Sequence, residues 1–125
     1  MQSVLIVDRS EETREVFSTA LARRGLRAIL ASHPQSGMRI ARALRPDLVV
    51  LDVESDNLDS EEIYSHFTRE SVINKTPLLL LGTIRRNAEK IPGREIIDKP
   101  YHYGPLVRRI EELLNRDCCV VSHDD

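Results

Sequence analysis

The stretch DLVVLD at residues 47–52 decides the fold of this chain. Its residues 48–51 form an unbroken run of leucine and valine, which is typical of a short strand buried on both faces of a parallel sheet. An aspartate ends the run, and more acids follow at Glu54, Asp56 and Asp59. Carboxylates crowded at the mouth of an apolar core are costly unless a cation compensates them. The stretch therefore predicts a central strand with a charged site at its carboxyl end.

Length and composition predict one domain of ordinary globular type. The chain has 125 residues, of which 41% are hydrophobic and 30% are charged, and its formal net charge is −2. That charge gives no indication of a general nucleic-acid binder. The sequence has neither an apolar run of the roughly 20 residues that a membrane span needs nor a secretory leader. The adjacent Cys118 and Cys119 predict neither a disulfide framework nor a metal site, so a cytoplasmic location is expected.

Apolar runs alternate with segments of helical periodicity along the chain. Strands are predicted at residues 3–7, 27–31, 47–51, 77–81 and 94–98, and helices at 11–24, 33–44, 60–70 and 104–115. All-apolar strands between amphipathic helices predict an α/β fold, with a parallel sheet covered by helices on both faces. Residues 1–116 would form this single domain, and residues 117–125, which lack a sustained period, would form a C-terminal tail.

Single residues refine the ends and faces of these helices. Ser10 is predicted to cap the first helix and Gly25 to stop it. The second helix is expected to bury a stripe of Ile40, Ala41 and Leu44. Tyr101 and Tyr103 are interpreted as packing residues beside the fifth strand.

The residues at the carboxyl ends of the strands form one constellation. Strand one ends at Asp8, strand three at Asp52, strand four at Gly82 and Thr83, and strand five at Asp98 and Lys99. Functional sites of open α/β sheets lie at this edge. Two carboxylates and a lysine thus converge from three strands, and Lys99 offsets the acids. A divalent cation could offset them further.

These residues, in this order, resemble the receiver domains of bacterial two-component response regulators over nearly the whole chain. The resemblance is carried by LIVD (5–8), PDLVVLD (46–52) and DKPY (98–101), each in register with a predicted strand. It implies a flavodoxin-like, three-layer, doubly wound sheet of five parallel strands in the order 2-1-3-4-5.

The resemblance also implies roles for individual residues. Asp52 would be the phosphoacceptor, Lys99 would contact the phosphoryl group, and Mg²⁺ would be held by Asp8, Asp52 and Glu54, the last through its backbone carbonyl or its side chain. The implied partner is a sensor histidine kinase or a phosphotransfer protein. The family also allows a homodimer, while neither nucleic acid nor membrane is expected to bind this domain directly. The domain would be a switch and not an enzyme, apart from its own phosphorylation and slow dephosphorylation.

The sequence departs from the family pattern at the metal pocket and at the residues that read out phosphorylation. Arg9 stands where the family has a second acid, which predicts weak Mg²⁺ binding. Its guanidinium is either solvated or close enough to Asp52 to replace part of the missing cation. Gly82 occupies the place of a switch hydroxyl, and Ile96 occupies the place of a switch aromatic. Thr83, one residue later, is the predicted site residue that could supply the hydroxyl if the loop shifts by one position.

Three functions follow from these features. The leading hypothesis is a phosphorylation-dependent signalling switch. The alternative is a pseudo-receiver, a constitutive protein-docking module that is never productively phosphorylated, which Arg9, Gly82 and Ile96 favour. An aspartate-nucleophile phosphatase is the least favoured, because its acidic motif would follow the first strand. Each site residue also has a structural alternative: Asp8 and Asp52 could be caps, and Lys99 could be a surface lysine.

Overall fold

The computed structural model describes residues 1–53, 65–71, 74–82 and 94–123. Five strands form one sheet: β1 (Ser3–Val7), β2 (Arg27–Ala31), β3 (Leu48–Asp52), β4 (Leu78–Leu81) and β5 (Arg94–Ile97). All neighbouring strands are parallel, and their order is β2-β1-β3-β4-β5. The predicted five-stranded, doubly wound, flavodoxin-like sheet is therefore confirmed. Its helices are α1 (Glu11–Ala22), α2 (Pro34–Leu44) and α3 (Tyr103–His123), and residues 65–71 are also helical.

The sheet separates two apolar cores. Val4, Ile6, Val50 and Leu79 point to one face, where they pack with residues of α1 and α3 such as Phe17 and Ile110. The alternate residues of the same strands point to the other face and pack with Phe67 and with α2. Because successive side chains of a strand alternate between faces, a strand between two helix layers must be apolar throughout. This is the physical origin of the leucine and valine runs.

The ends of α1 are set by the residues that the sequence indicates. The Ser10 side chain accepts a hydrogen bond from the backbone N–H of Thr13 at 3.2 Å, as an N-cap does. Gly25 has φ +74, a left-handed conformation that glycine adopts without steric cost. Both predictions are confirmed, although α1 ends at Ala22 and not at residue 24.

Helix α2 lies directly on β1 because Gly37 has no side chain. A Cβ atom added at Gly37 would approach Val7 Cγ2 to 2.7 Å, closer than two carbons can pack. The stripe predicted for α2 is partly wrong. Ile40 and Ala41 pack against the second core, but Leu44, in the last turn, is 54% exposed.

The last helix is longer than predicted. It runs from Tyr103 to His123, so residues 117–123, which were predicted as a tail, are helical. The apolar period fades after Leu114, but neither glycine nor proline occurs from residue 106 onward to stop the helix. Whether the domain itself ends at residue 116 stays a prediction. Of the helix predicted at 60–70, residues 65–70 are helical as expected, and its first part lies outside the described residues.

Candidate active site at the carboxyl edge of the sheet

The strand register places the predicted site residues at one edge of the sheet. Val7 of β1 pairs with Leu51, and Asp52 pairs with Leu81 of β4, which is followed in the sheet by Ile97. Asp8 and Asp52 therefore end two neighbouring strands, and Lys99 follows the end of β5. Glu54 and Thr83, the other two predicted site residues, lie outside the described residues.

Lys99 and Asp52 form an ion pair. The Lys99 Nζ atom contacts Asp52 Oδ1, although β4 lies between β3 and β5 in the sheet. The Asp52 side chain is 9% exposed and the Lys99 side chain 32% exposed. A carboxylate removed from water to this degree needs a cation beside it, so the pair makes the ionised form of Asp52 tenable at the edge of the core.

Asp8 is fixed more rigidly than its sequence position suggests. It is 6% exposed, and its Oδ1 atom accepts a hydrogen bond from the backbone N–H of Ser10 at 2.9 Å. Its own N–H donates to the Ala31 carbonyl at 3.0 Å, and Arg14 Nη1 donates to its carbonyl at 2.7 Å. One carboxylate oxygen thus shapes the turn into α1, with Ser10 as the cap, while the backbone is held from both sides.

Arg14 is a residue of this site that sequence analysis missed. A side chain on a helix leans toward the helix N-terminus, so an arginine in the second turn of α1 can reach back to the end of β1. The position of the arginine near the start of a predicted helix is the only indication of this contact in the sequence. The sequence does not distinguish such an arginine from a solvated one.

Arg9 does not take the place of a cation at Asp52. It is exposed, and within the described residues no ion pair joins it to Asp8 or Asp52. Lys99 is the cation at Asp52. Of the two interpretations of Arg9, the solvated side chain is the one that fits the structure.

Asp8 and Asp52 fit a hydrated Mg²⁺ ion, with few protein ligands. Mg²⁺ is commonly held by one or two carboxylates and keeps several of its waters. In residues 1–53, 65–71, 74–82 and 94–123, no three His, Cys, Asp or Glu side chains lie close enough together to hold a metal ion. Glu54, the third ligand that the resemblance implies, lies outside these residues.

Gly82 leaves no room for a side chain at the end of β4. Its φ is +140, and a Cβ atom there would lie 2.1 Å from the carbonyl oxygen of Val53. The surrounding backbone is fixed by hydrogen bonds from Gly82 N to Ile97 O at 3.0 Å and from Val53 N to Leu81 O at 2.8 Å. A hydroxyl therefore cannot be placed at residue 82 without moving the backbone.

Tyr101, two residues after Lys99, belongs to a cluster of aromatic rings. Its ring packs with Phe17 of α1 and with Tyr103, at centroid distances of 6.4 and 5.5 Å, which confirms the packing role predicted for both tyrosines. Burial and the nearby Tyr103 and Asp8, with a smaller effect of Asp52, raise the pKa of Tyr101 above its ordinary value. The position of Tyr101 two residues after Lys99 does not by itself reveal this shift.

A cavity of about 320 Å³ lies at the opposite edge of the sheet. Its lining includes Met38, Arg45, Phe67 and Lys75, and none of Asp8, Asp52 and Lys99. The charged constellation lies instead at the carboxyl ends of the strands, where the sequence predicts it. No helix in the described part of the chain is long and apolar enough to cross a membrane.

Curated relatives match this chain over most of its length. It is 31% identical over 121 residues to the transcriptional regulatory protein PcoR of Escherichia coli, covering 93% of this chain and 53% of PcoR. It is 30% identical over 120 residues to the probable transcriptional regulator ycf27 of Porphyra purpurea, covering 92% of this chain and 48% of that protein. The chain thus spans about half the length of these relatives. No protein-family model matches the sequence.

Solved structures share the fold. The N-terminal domain of a response regulator receiver protein from Methanoculleus marisnigri superposes with a TM-score of 0.64 at 28% sequence identity. The match covers 90% of this chain and 95% of that domain.

Proposed function

We propose that this chain, a receiver domain of the response-regulator family, is a signalling switch that accepts a phosphoryl group on Asp52. The observation that carries the proposal is the ion pair between Lys99 and the nearly buried Asp52. A lysine that reaches this carboxylate from a non-adjacent strand is placed to neutralise charge on a phosphoryl group bound there.

The reaction follows from the chemistry of the site. A carboxylate oxygen of Asp52 attacks phosphorus, an O–P bond forms, and the bond from phosphorus to the donor breaks. With a phosphohistidine donor the leaving group is the imidazole, which takes up a proton. The product is an acyl phosphate on Asp52, and Lys99 balances part of the negative charge that the oxygens gain in the transition state.

Asp8 and Asp52 are the residues that would hold Mg²⁺. When bound, the ion supplies charge neutralisation for the phosphoryl oxygens. Glu54 stays a predicted third ligand. Arg9 adds a positive charge to the neighbourhood and no ligand, so binding of the ion is expected to be weak. The donor is expected to be a sensor histidine kinase or a phosphotransfer protein, and the chain to act in the cytoplasm.

A pseudo-receiver is the second candidate function. It is favoured by Gly82, whose position cannot hold a hydroxyl, and by Ile96, which is partly buried and packs against the second core. A domain that only docks a partner does not need a buried carboxylate paired with a lysine, so the first function explains more of the site.

Mass measurement of the intact protein distinguishes the two functions. After incubation with phosphoramidate and Mg²⁺, the wild-type chain is expected to gain one phosphoryl group that hydroxylamine removes, and Asp52→Asn is expected to gain none. Asp98→Asn is the matched control, since Asp98 is an exposed acid directly after β5. Equal labelling of the wild type and Asp52→Asn would refute the acceptor. A folded wild type that is never labelled would establish the pseudo-receiver.

A further inference from the structure

We infer that Arg14 is a positioning residue of the cation site. By holding the backbone carbonyl of Asp8, its guanidinium keeps the Asp8 carboxylate in the orientation that binds Mg²⁺. The inference rests on the proposed function and adds to it a residue that touches neither the ion nor the phosphoryl group. Arg14 acts on the ion through Asp8.

The backbone of Asp8 is the first observation. Strand β1 ends at Val7, and the N–H of Asp8 donates to the Ala31 carbonyl of β2 at 3.0 Å. The Asp8 carbonyl lies beyond the strand pairing, in a residue that is 6% exposed, and Arg14 Nη1 donates to it at 2.7 Å. These two bonds fix the planar peptide groups before and after Asp8. They thereby fix the direction in which its side chain leaves the backbone.

The carboxylate of Asp8 depends on that backbone. Its Oδ1 atom accepts a hydrogen bond at 2.9 Å from the N–H of Ser10, two residues further along the chain. Turning the peptide group after Asp8 would move this N–H, so the bond from Arg14 also keeps Oδ1 in place. In the part of the chain that the structure describes, Oδ2 accepts no hydrogen bond, which leaves it as the oxygen for a cation.

The side chain of Arg14 is used for this contact and not for an ion pair. Arg14 is half-buried, and its own N–H donates to the Ser10 carbonyl at 3.0 Å at the start of α1. Glu11 precedes it by three residues on the helix, a spacing that allows side chains to pair. Within the described residues, however, Arg14 forms no ion pair. Its charged donor is directed to the carbonyl of Asp8, and such bonds are stronger than neutral ones.

Charge alone predicts the opposite effect of Arg14 on the ion. A positive side chain near the site repels Mg²⁺, so its removal would tighten binding if repulsion were the only effect. If Arg14 positions Asp8, its removal weakens binding. The sign of the change in Mg²⁺ affinity therefore distinguishes the two roles.

The test is a Mg²⁺ titration followed by amide chemical shifts, together with hydrogen exchange of the metal-free protein. Arg14→Met keeps an apolar stem and removes the donor, so we expect its Mg²⁺ affinity to fall roughly fivefold or more. We also expect its Ser10 amide to exchange faster. Arg14→Lys retains a charged donor on a shorter stem, and we expect it to bind Mg²⁺ more tightly than Arg14→Met. Thermal midpoints show that each variant is folded.

The matched control is Arg23→Met. Arg23 is exposed at the other end of α1, so this variant makes the same substitution away from the site. We expect its Mg²⁺ affinity to stay within about twofold of the wild type, because exposed charges far apart are screened by salt. If Arg14→Met does not fold, Arg14→Gln, whose side chain is too short to reach the carbonyl, takes its place with the same expected fall.

The outcomes separate this inference from the proposed function. If the wild type is phosphorylated on Asp52 and Arg14→Met binds Mg²⁺ at least as tightly as Arg14→Lys, the inference is wrong and the phosphoacceptor stands. The inference is also wrong if Arg23→Met loses as much affinity as Arg14→Met, or if exchange of the Ser10 amide is unchanged in Arg14→Met. A folded wild type that binds no Mg²⁺ overturns the inference, and if it also gains no phosphoryl group the proposed function fails as well.

Discussion

At the scale of the residue, we expect Arg9 to limit how well the site can hold a cation. It is an exposed positive charge where the family has an acid. Replacing it with aspartate removes a repulsion and offers a carboxylate next to Asp8. A pair of unit charges about 4 Å apart in water is worth about 1 kcal/mol, so we expect Arg9→Asp to tighten Mg²⁺ binding at least fivefold, or roughly 1 kcal/mol. A titration followed by amide chemical shifts would measure it.

The control for this prediction is Arg39→Asp. Arg39 is also exposed, on α2, so the variant makes the same change in net charge away from the strand ends. If both variants tighten Mg²⁺ equally, the effect is one of overall charge and residue 9 does not face the pocket.

Tyr101 also links the site to stability at high pH. Its folded-state pKa lies above the unfolded value, and burial is the main cause. The folded state therefore holds the proton more tightly, and the resulting stability is present below the unfolded pKa of about 10 and is lost as the pH rises through the folded value. We expect the free energy of unfolding to fall between pH 9 and roughly pH 11 more steeply in the wild type than in Tyr101→Phe. Urea unfolding at several pH values tests this. Parallel curves for the two proteins would show that the Tyr101 hydroxyl is solvated.

At the scale of the element, the junction of β3 and β4 is the most constrained part of the site. Gly82 lies against the Val53 carbonyl with a φ that side chains rarely adopt. Gly82→Ser adds a hydroxyl at the switch position. We expect it to lower the free energy of unfolding by about 2 kcal/mol or more. Urea unfolding at neutral pH would measure the loss.

Gly104→Ala is the control for the junction. Gly104 lies in the first turn of α3, and a Cβ atom there meets nothing within 4 Å. Alanine is the better helix former, so this variant is expected to be neutral or slightly stabilising. A Gly82→Ser protein as stable as the wild type would mean that the ends of β3 and β4 can separate and that residue 82 can hold a hydroxyl.

The elements beside the site are tied together by charge as well as by packing. Arg109 of α3 donates from Nε and Nη2 to both carboxylate oxygens of Glu95 on β5, at 2.7 and 2.5 Å. These bonds are the main reason that the pKa of Arg109 is raised. Arg24, just after α1, pairs with Glu111 of α3 at 2.5 Å. Helix α3 is thus pinned to both the edge strand and α1, directly after the segment that carries Lys99 and Tyr101.

At the scale of the whole molecule, the sequence predicts the sheet well because its strands are buried on both sides. Leu48, Val50 and Leu79 are buried, and a polar side chain at these positions would be destabilising, so the strands are visible in the sequence as apolar runs. Connections of this length between parallel strands imply helices. The apolar runs do not determine the strand order, which the family resemblance implies. Periodicity failed at Leu44, where a helical apolar residue lies beyond the core, and after Leu114, where the helix continues without an apolar period.

The sequence predicts the position of a site residue where a charged residue type directly follows a predicted strand. Asp8, Asp52 and Lys99 could be placed together because parallel strands end at one edge. Arg14 and Tyr101 could not, because a hydrogen bond to a carbonyl and the direction of a phenol leave no pattern in a sequence. The block at Gly82 is of the same kind: the glycine is visible in the sequence, but the carbonyl against it is a product of the fold.

The strand order also governs how the chain is made. The first 52 residues contain β1 with both of its neighbours, β2 and β3, so a three-stranded sheet can assemble while the ribosome is still producing the second half. Strands β4 and β5 then add on one side only. Until they do, β3 is an open edge of leucine and valine, which is the kind of surface that aggregates or recruits a chaperone. The same unbroken apolar run that specifies the fold is therefore the segment of the nascent chain most exposed to misassembly.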